Sequence, residues 1–379
     1  MSNRVVINTL PLLSPITGIG TYILNLSKAF RSLDQGNEYT YFYGYFGRKL
    51  LTYEDSAFIR SFSNAKEGFI KNPLFSKYGR KFKDMLPALN RRNFDLYFEP
   101  NITPTNIKAK KVVTTVCDLS FKKFPHCQPK DRTEYFNQHF DEGLKRSNRV
   151  IVLSKKIKEE LLGLTKIKDE MVDVIPAGVD RSIFKQYSGE LADGVKEKYS
   201  LPEKFILYVG TIEPRKNLKG LLDAYLSRDI KREFKLVIVG ASGWGNKEEL
   251  KLFADHMDDV VFLGHIPSID IALLMNTASC LVYPSFYEGF GLPPLEAMAC
   301  GCPVVVSNIS SLPETCGDAV YYVDPYNVNS ITDGIHKVVT DEAIRESLIK
   351  RGLERAKNFC WEKSAKEHLK VFNDILNPG

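Results

Sequence analysis

The chain has 379 residues, of which 44% are hydrophobic, 26% charged and 11% aromatic. This length corresponds to two or three typical domains, and the composition excludes a disordered, collagen-like or coiled-coil protein. The 52 Lys and Arg residues against 46 Asp and Glu give a formal net charge of +6, which does not demand a nucleic-acid partner.

The cysteine content and the termini favour an intracellular protein. The seven cysteines are an odd number without a Cys-x-x-Cys pair, so neither a disulfide framework nor a zinc site is indicated. The N-terminus has no extended apolar region, and no stretch approaches the roughly 18 apolar residues of a membrane span. We therefore expect a cytoplasmic protein whose thiols are reduced.

Short β-rich runs alternate with amphipathic helical stretches along the whole chain. In the first half the runs lie at residues 4–8, 40–43, 96–98, 112–116 and 150–153. In the second half they lie at 205–209, 235–239, 260–263, 281–283, 304–307 and 320–323. Strands that alternate with helices form parallel sheets covered on both faces. The sequence therefore predicts an α/β protein with two doubly wound domains.

The boundary between these domains is predicted from a turn followed by a polar linker. The Pro/Gly turn at 174–180 closes the first domain, and a polar stretch near 184–199 precedes the next strand. We assign 1–183 to an N-terminal domain, 184–358 to a C-terminal domain, and 359–379 to a final amphipathic helix.

Two glycines follow the first predicted strand. Gly18 and Gly20 precede a helix predicted near 21–30, but Ile23 stands where a dinucleotide-binding fingerprint needs its third glycine. The dinucleotide interpretation therefore fails, and a plain strand-to-helix turn is one alternative for this loop.

The segment 71–92 is basic and aromatic. It interleaves seven Lys and Arg residues with three aromatic residues. Such a segment suits peripheral contact with an anionic membrane, and it equally suits a solvated helix with aromatic core contacts.

Two adjacent cations follow the predicted strand at 205–209. Arg215 and Lys216 stand at the end of this strand and just before a helix. A guanidinium fork, an ammonium charge and the free N–H groups of a helix start together suit a diphosphate. A solvated basic turn is the structural alternative.

Two carboxylates lie in and just after the loop that follows the predicted strand at 281–283. Glu288 precedes Gly289 and Gly291, and Glu296 lies in the opening turn of a helix that starts with a Pro-Pro pair. The glycines permit close backbone approach to a ligand, and the carboxylates can accept hydrogen bonds from sugar or ribose hydroxyls. A favourable interaction with the helix dipole is the structural alternative. It would explain Glu296, but it would not explain Glu288 or the glycines.

The run Tyr-Glu-Gly-Phe-Gly-Leu-Pro-Pro-Leu-Glu-Ala-Met-Ala-Cys-Gly-Cys-Pro-Val-Val, which holds both carboxylates, resembles the signature of the family-four retaining glycosyltransferases with the GT-B fold. Supporting segments lie at 17–22, 95–100, 117–120, 174–180, 210–217 and 308–314. The pair Gly-Thr-Ile-Glu-Pro-Arg-Lys-Asn and Ser-Asn-Ile-Ser-Ser-Leu-Pro-Glu most resembles the mannosyltransferase-like branch that builds bacterial O-antigen and related polysaccharides.

The resemblance implies a GT-B architecture, in which two Rossmann-like domains face each other across a cleft and the C-terminal helix crosses back to the N-terminal domain. The N-terminal domain would bind the acceptor and the C-terminal domain the nucleotide-sugar donor. The implied reaction retains anomeric configuration and uses no metal, which agrees with the absence of any Asp-x-Asp pair from the sequence. The favoured donor is GDP-mannose, with no further cofactor, and the acceptor is a surface glycan or its lipid-linked form.

By the same resemblance, residues of this chain take individual roles. Those implied to act at the reaction centre are Arg215, Lys216, Glu288 and Asp118. Those implied to bind the donor are Gly18, Gly20, Gly210, His265, Ile266, Phe290, Gly291, Leu292 and Glu296, with Glu296 on the ribose and 264–266 at the base.

One departure from the family pattern leaves alternatives open. Cys117 stands where relatives carry His before Asp118, and a thiol cannot reproduce the hydrogen bonding of an imidazole. The enzyme then either places its sugar differently or is a catalytically weak nucleotide-sugar-binding subunit. A different nucleotide-sugar reaction such as 2-epimerisation is disfavoured by the cation pair and the two carboxylates, and nucleic-acid binding has only the segment 71–92 in its favour.

Overall fold

The computed structural model describes residues 2–53, 92–227, 230–241, 243, 251, 253, 256 and 258–377. It divides into two compact units. The first comprises 1–119, 135–176 and 361–379, and the second comprises 120–134 and 177–360. The sequence assigned 120–134 to the first domain, whereas the structure groups it with the second, where the Phe124 ring packs 5.4 Å from that of Tyr287.

The strands of the described chain are β1 (Arg4–Asn8), β2 (Glu38–Phe42), β3 (Phe46–Gly47), β4 (Phe94–Glu99), β5 (Ala109–Val116), β6 (Arg149–Val152), β7 (Val172–Val174), β8 (Phe205–Val209), β9 (Lys235–Val239), β10 (Val260–Gly264), β11 (Cys280–Tyr283), β12 (Val304–Ser307) and β13 (Tyr321–Val323). The α-helices are α1 (Gly18–Leu33), α2 (Ser120–Lys123), α3 (Lys130–Arg146), α4 (Lys155–Leu164), α5 (Gly189–Lys198), α6 (Leu218–Leu226), α7 (Ile230–Glu233), α8 (Ser268–Thr277), α9 (Leu292–Ala299), α10 (Leu312–Cys316), α11 (Val328–Thr340), α12 (Glu342–Ala356) and α13 (Trp361–Leu376).

Among the described strands, each unit contains one sheet. The first has the order β3-β2-β1-β4-β5-β6-β7, in which the only antiparallel pair among the described strands is β2 with β3. The second has the order β10-β9-β8-β11-β12-β13 and is parallel throughout its described strands. The prediction of two doubly wound α/β domains is confirmed.

The central strands are apolar because helices cover both faces of each sheet. In β8 the sequence Phe-Ile-Leu-Tyr-Val is buried at every position. A strand exposed on one face would alternate polar and apolar residues, whereas one buried on both faces reads as a continuous apolar run. The edge strands β3 and β7 of the first sheet, which are two and three residues long, were not among the predicted strands.

Helix α13 belongs to the first unit, where it packs against α1. The Nδ1 atom of His368 lies 2.7 Å from the carbonyl oxygen of Ser364, and its Nε2 lies 2.8 Å from the hydroxyl of Tyr22. Because a carbonyl only accepts, Nδ1 carries the proton and Nε2 accepts from Tyr22. Burial lowers the pKa of His368 to about 4, which keeps this imidazole neutral.

The basic segment predicted at 71–92 lies outside the described residues except for Arg92, whose guanidinium carbon lies 5.7 Å from the centre of the Phe46 ring. In the part of the chain that the structure describes, no helix is both long enough and apolar enough to span a bilayer. All seven cysteines are free, and six of them are buried.

Candidate functional site

The second sheet reverses its strand order between β8 and β11. The chain runs outward from β8 through β9 to β10, and in the other direction from β11 through β12 to β13. Ligands of open α/β sheets bind beyond the carboxyl ends of the strands at such a switch point. The loops that follow β8 and β11 are therefore where a ligand is expected on this unit.

The loop after β8 carries two buried cations. A 3-10 turn at Pro214–Lys216 places Arg215 and Lys216 in the interior, with 8% and 7% of their surfaces exposed. Arg215 Nη2 lies 2.5 Å from Glu213 Oε1, and Glu213 is itself only 2% exposed. The solvated basic turn that the sequence left open as an alternative is therefore wrong.

The loop after β11 supplies the carboxylate between these cations. Glu288 Oε1 lies 2.6 Å from Lys216 Nζ, and Glu288 Oε2 lies 3.2 Å from Arg215 Nη1. Arg215 also donates to the backbone carbonyl of Tyr287, and Lys216 donates to the Tyr283 hydroxyl at 2.7 Å. The structure thus brings together three of the residues that the sequence singled out.

The charges of this cluster balance locally. Burial alone would raise the pKa of Glu288, but the positive charges of Lys216 and Arg215 outweigh it and hold that pKa at about 2. Glu288 is therefore ionised at neutral pH. Because Glu213 and Glu288 pair with the two cations, an anion bound here would be held by the placement of the donors rather than by a net positive charge.

Asn217 forms hydrogen bonds that connect the loops following β8, β11 and β13. It adopts a left-handed conformation at φ 57°, and its side-chain oxygen accepts from the Gly220 N–H at 3.1 Å to cap α6. Its Nδ2 donates to the carbonyls of Pro284 and Pro325, which follow β11 and β13. A single side chain thereby ties three loops at the carboxyl edge of the sheet.

Helix α9 begins at the same edge. Gly291, its N-cap, has a φ of 97°, and a Cβ there would lie 2.7 Å from Leu312 Cδ2, so glycine is required. The next two helical positions after Leu292 are Pro293 and Pro294, which have no N–H. Gly291 and Leu292 therefore supply the backbone donors at the start of this helix.

Glu296 lies one turn further along α9 and is 9% exposed. Burial, together with the negative charge of Asp180, raises the pKa of Glu296 to about 8. Within the described chain Glu296 forms no salt bridge, so it is not part of the Arg215–Lys216–Glu288 cluster. A buried carboxyl group with this pKa is suited to a ligand that brings hydrogen-bond donors, such as ribose hydroxyls.

The strand ends on the other side of β8 form a row of close backbone contacts. Gly210 N–H donates to Val239 O at 2.9 Å, and Gly240 N–H donates to Gly264 O at 2.9 Å. A Cβ on Gly240 would lie 1.8 Å from the Gly210 oxygen, so only glycine fits there.

The residues predicted to edge the base follow Gly264 directly. The side chain of His265 is exposed, whereas Ile266 is buried at 5% exposure. The prediction that His265 is a rim residue is consistent with this exposure, but no described contact assigns it to a ligand.

Three hydroxyl groups hold the loop that contains Glu288. Ser310 Oγ accepts from the Glu288 N–H at 3.1 Å and donates to the Glu288 carbonyl at 2.6 Å. Ser311 Oγ donates to the same carbonyl at 2.7 Å, and Thr315 Oγ1 donates to the Phe290 carbonyl at 2.7 Å. We call Ser310, Ser311 and Thr315 the hydroxyl clamp.

The remaining predicted site residues belong to the first unit. Gly18 and Gly20 form the first turn of α1, and Asp118 follows β5 at the carboxyl edge of the first sheet. Cys117 is buried, and its Sγ lies 3.6 Å from the Pro100 carbonyl. Burial, with the negative charges of Asp118 and Glu99, raises the pKa of the Cys117 thiol, so it stays protonated at neutral pH.

Sequence reasoning missed several residues of the site. Glu213 and Asn217 lie within the quoted segment 210–217, and Ser310 and Ser311 lie within 308–314, but neither segment had been assigned these contacts. The signal that was present in the sequence is the residue type at 217 and 310, since Asn and Ser both support local side-chain hydrogen bonds in turns.

Across the ranges that the structure describes, no three His, Cys, Asp or Glu side chains lie together as a metal site requires.

Family comparisons cover both units. Residues 16–183 match the model of Glycosyltransferase Family 4, and residues 193–355 match that of Glycosyl transferases group 1. The O-antigen chain mannosyltransferase B of Escherichia coli is 31% identical over an alignment of 379 positions, which covers 97% of this chain and 99% of that protein.

Solved structures agree on the fold. Sucrose-phosphate synthase from Thermosynechococcus elongatus aligns with a TM-score of 0.72 at 20% identity, over 100% of both chains. The Anabaena protein Alr3699/HepE in complex with UDP-glucose aligns with a TM-score of 0.70 at 15% identity, over 98% of this chain and 100% of that one. At these identities the likeness establishes the two-domain GT-B fold and nothing finer.

Proposed function

This chain belongs to the group 1 glycosyl transferases of glycosyltransferase family 4, and we propose that it moves a hexose, with mannose favoured, from a nucleoside-diphosphate sugar to a glycan or lipid-linked acceptor in surface polysaccharide biosynthesis. Mannose and the O-antigen-like acceptor are proposed because the relative that matches the chain along its length is named an O-antigen chain mannosyltransferase. GDP-mannose is the favoured donor.

The observation that carries this proposal is the buried cluster of Arg215, Lys216 and Glu288 at the switch point of the second sheet. Cleavage of the bond between the anomeric carbon and phosphate leaves a nucleoside diphosphate with growing negative charge. Preorganised donors aimed at such a charge stabilise the transition state more than the ground state. Arg215 and Lys216 would stabilise the leaving diphosphate, and Gly291 and Leu292 would add backbone N–H groups.

Glu288 has two proposed tasks. Its carboxylate, ionised at neutral pH, holds both cations in place before the donor arrives. It would also lie near the donor sugar, where a fixed negative charge favours the oxocarbenium-like character that develops as the bond breaks. Retention would follow from front-face attack, in which the leaving phosphate helps to take the acceptor proton.

Metal independence is part of the same proposal, because the two cations would supply the positive charge that a divalent ion supplies elsewhere. EDTA is expected to leave the transfer rate unchanged. Complete loss of transfer on chelation, restored by manganese, would contradict this mechanism.

A second candidate function is favoured by Cys117. A protonated, buried thiol replaces the imidazole that relatives carry beside Asp118, which supports a catalytically weak homologue that binds nucleotide sugar as a subunit. Tight donor binding without transfer to any acceptor would favour this candidate over the enzyme.

A donor panel tests the proposed function. GDP-, UDP- and ADP-sugars are compared by thermal shift, since a ligand at about 100 times its dissociation constant adds roughly 2.7 kcal/mol to the free energy of unfolding. We expect GDP-mannose to stabilise most and then to support transfer to a lipid-linked glycan acceptor. Stabilisation by none of these donors would contradict the proposal.

A further inference from the structure

The backbone of Glu288 is bound on both of its polar groups by one side chain. Ser310 Oγ accepts from the Glu288 N–H and donates to the Glu288 carbonyl, and Ser311 occupies the second lone pair of that carbonyl. A carbonyl oxygen has two lone pairs, so this one is fully satisfied. The peptide on either side of Glu288 therefore has little freedom to rotate.

Ser310 holds this position at a local cost. Its φ is 61°, in the left-handed region that glycine adopts readily and that other residues adopt under strain. Glycine at 310 would remove the strain, but it would also remove the hydroxyl that binds Glu288. The strain is thus compensated by two hydrogen bonds to the residue that carries the central carboxylate of the site.

Thr315 fixes the next part of the loop. Its hydroxyl holds the carbonyl of Phe290, and in a trans peptide the N–H of the following residue points the opposite way. The Gly291 N–H is therefore turned away from Thr315. Because Pro293 and Pro294 provide no N–H, the direction of this donor matters at the start of α9.

We propose that the hydroxyl clamp of Ser310, Ser311 and Thr315 is a positioning device for the transfer reaction, which holds the Glu288 carboxylate and the Gly291 N–H in the orientation the donor requires. The inference rests on the proposed function. Glu288 is then held at two ends, with its backbone bound by the clamp and its carboxylate by Lys216 and Arg215.

Two substitutions at Ser310 separate positioning from stability. Ser310→Gly relieves the backbone strain but removes the hydroxyl, so we expect an unchanged or higher melting temperature and a kcat reduced about tenfold, with the donor KM within about threefold. Ser310→Thr retains the hydroxyl but places a β-branched residue at positive φ. We expect it to melt at lower temperature and to keep kcat within about threefold of wild type.

Two further variants test the clamp as a unit. Ser311→Ala combined with Ser310→Gly leaves the Glu288 carbonyl without either hydroxyl, and we expect kcat to fall about 100-fold. Thr315→Val keeps the volume of the side chain and removes its hydroxyl, and we expect a reduction in kcat of about tenfold.

Ser200→Gly is the matched control. Ser200 also has a left-handed backbone, at φ 52°, and lies exposed after α5. The same chemical change there is expected to leave kcat at its wild-type value.

The possible results distinguish failure of the hydroxyl clamp from failure of the proposed function. Wild-type transfer together with an undiminished kcat in Ser310→Gly overturns the clamp and leaves the proposed function standing. A reduced kcat that follows the melting temperature, so that Ser310→Thr is the slower variant, also overturns it. Absence of hexose transfer by the wild-type protein from every donor overturns the proposed function and the clamp with it.

Discussion

Lys216 is a buried cation that pairs with the carboxylate of Glu288. Its ammonium lies 2.6 Å from Glu288 and 5.1 Å from the centre of the Tyr283 ring. Removing the ammonium leaves Glu288 Oε1 without this partner, and Arg215, at 3.2 Å from Oε2, then has to balance the buried carboxylate without it. Substitution of Lys216 should therefore affect both the transfer rate and the stability of the second unit.

Lys216→Ala is expected to lower the transfer rate at least 100-fold, because a preorganised donor at the leaving group is typically worth about 10²–10³ in kcat. Single-turnover transfer measured on the fraction that remains folded checks this. Lys219→Ala is the matched control, since Lys219 is exposed on the next turn and pairs only with Asp223 among the described contacts. Wild-type turnover in Lys216→Ala would show that the cation pair does not act on the leaving group.

Glu296 predicts a pH dependence of donor binding. Its pKa of about 8 means that the carboxyl group is mostly protonated at pH 7 and mostly ionised at pH 9. If the ionised form accepts the ribose hydroxyls, the affinity for a nucleoside diphosphate rises about tenfold between these pH values. Calorimetric titration checks the rise, and Glu296→Gln should abolish it. A pH-independent affinity in the wild-type protein would contradict the role of Glu296.

The residues that follow strand ends were predictable from the sequence, because a short apolar run and its next loop can be recognised without a structure. That is why Arg215, Lys216 and Glu288 were found. The pairing of Glu288 with the two cations could not be predicted, since about 70 residues separate them and the contact depends on how the two loops meet in the fold. The pairing of Glu213 with Arg215 could not be predicted either, since a spacing of two residues has no fixed geometry in an irregular loop. The contacts of Ser310 depend on a left-handed backbone that only the folded chain reveals.

At the scale of secondary-structure elements, helix α13 is held by a buried histidine. In the folded protein the pKa of His368 is lowered to about 4, against 6.5 for an exposed imidazole. The folded state therefore binds fewer protons than the unfolded state between these values. The contribution of His368 to stability is complete above pH 6.5 and is lost as the pH falls toward 4, by on the order of 3 kcal/mol.

This predicts that the first unit becomes less stable between pH 6.5 and pH 4, and that His368→Phe loses part of this dependence. Denaturant unfolding followed by tryptophan fluorescence in a Trp244→Phe background, where Trp361 is the one remaining tryptophan and lies 5.9 Å from Tyr22 by ring centres, measures it. His336→Gln, at an exposed position of α11, should keep the full pH dependence. An identical pH profile in His368→Phe and wild type would show that His368 titrates normally in the folded protein.

Element boundaries were predictable where the strands are long and apolar. The strand predicted at 205–209 is found as β8 (Phe205–Val209), and that at 4–8 as β1 (Arg4–Asn8). The grouping of 120–134 with the second unit was not predictable, because it reflects contacts between residues far apart in the sequence, such as that of Phe124 with Tyr287.

At the scale of the whole molecule, the basic residues discussed above lie in two settings of different kind within a chain of net charge +6. The cations beside Glu288 are offset by carboxylates, whereas the segment 71–92 concentrates seven Lys and Arg residues. We propose that this segment contacts anionic lipid and so brings a lipid-linked acceptor to the enzyme. Each basic residue near such a surface contributes about 1 kcal/mol at physiological salt.

Neutralising five of these residues with Gln is therefore expected to abolish cosedimentation with vesicles that contain anionic lipid, while transfer to a water-soluble acceptor continues. The control removes five exposed positive charges elsewhere, at Arg351, Lys357, Lys363, Lys366 and Lys370. Equal vesicle binding by both variants would contradict a membrane role for 71–92.

Helix α13 belongs to the first unit but is synthesised after the second, and this affects the order in which the two units can fold. Phe30 and Phe98, which belong to α1 and β4, pack against Phe372 with ring centres 5.5 and 5.3 Å apart. During synthesis, the rings of Phe30 and Phe98 cannot pack against α13 until the whole of the second unit has been translated. The second unit can therefore fold first, while the first remains open to chaperones and to aggregation until its last helix emerges.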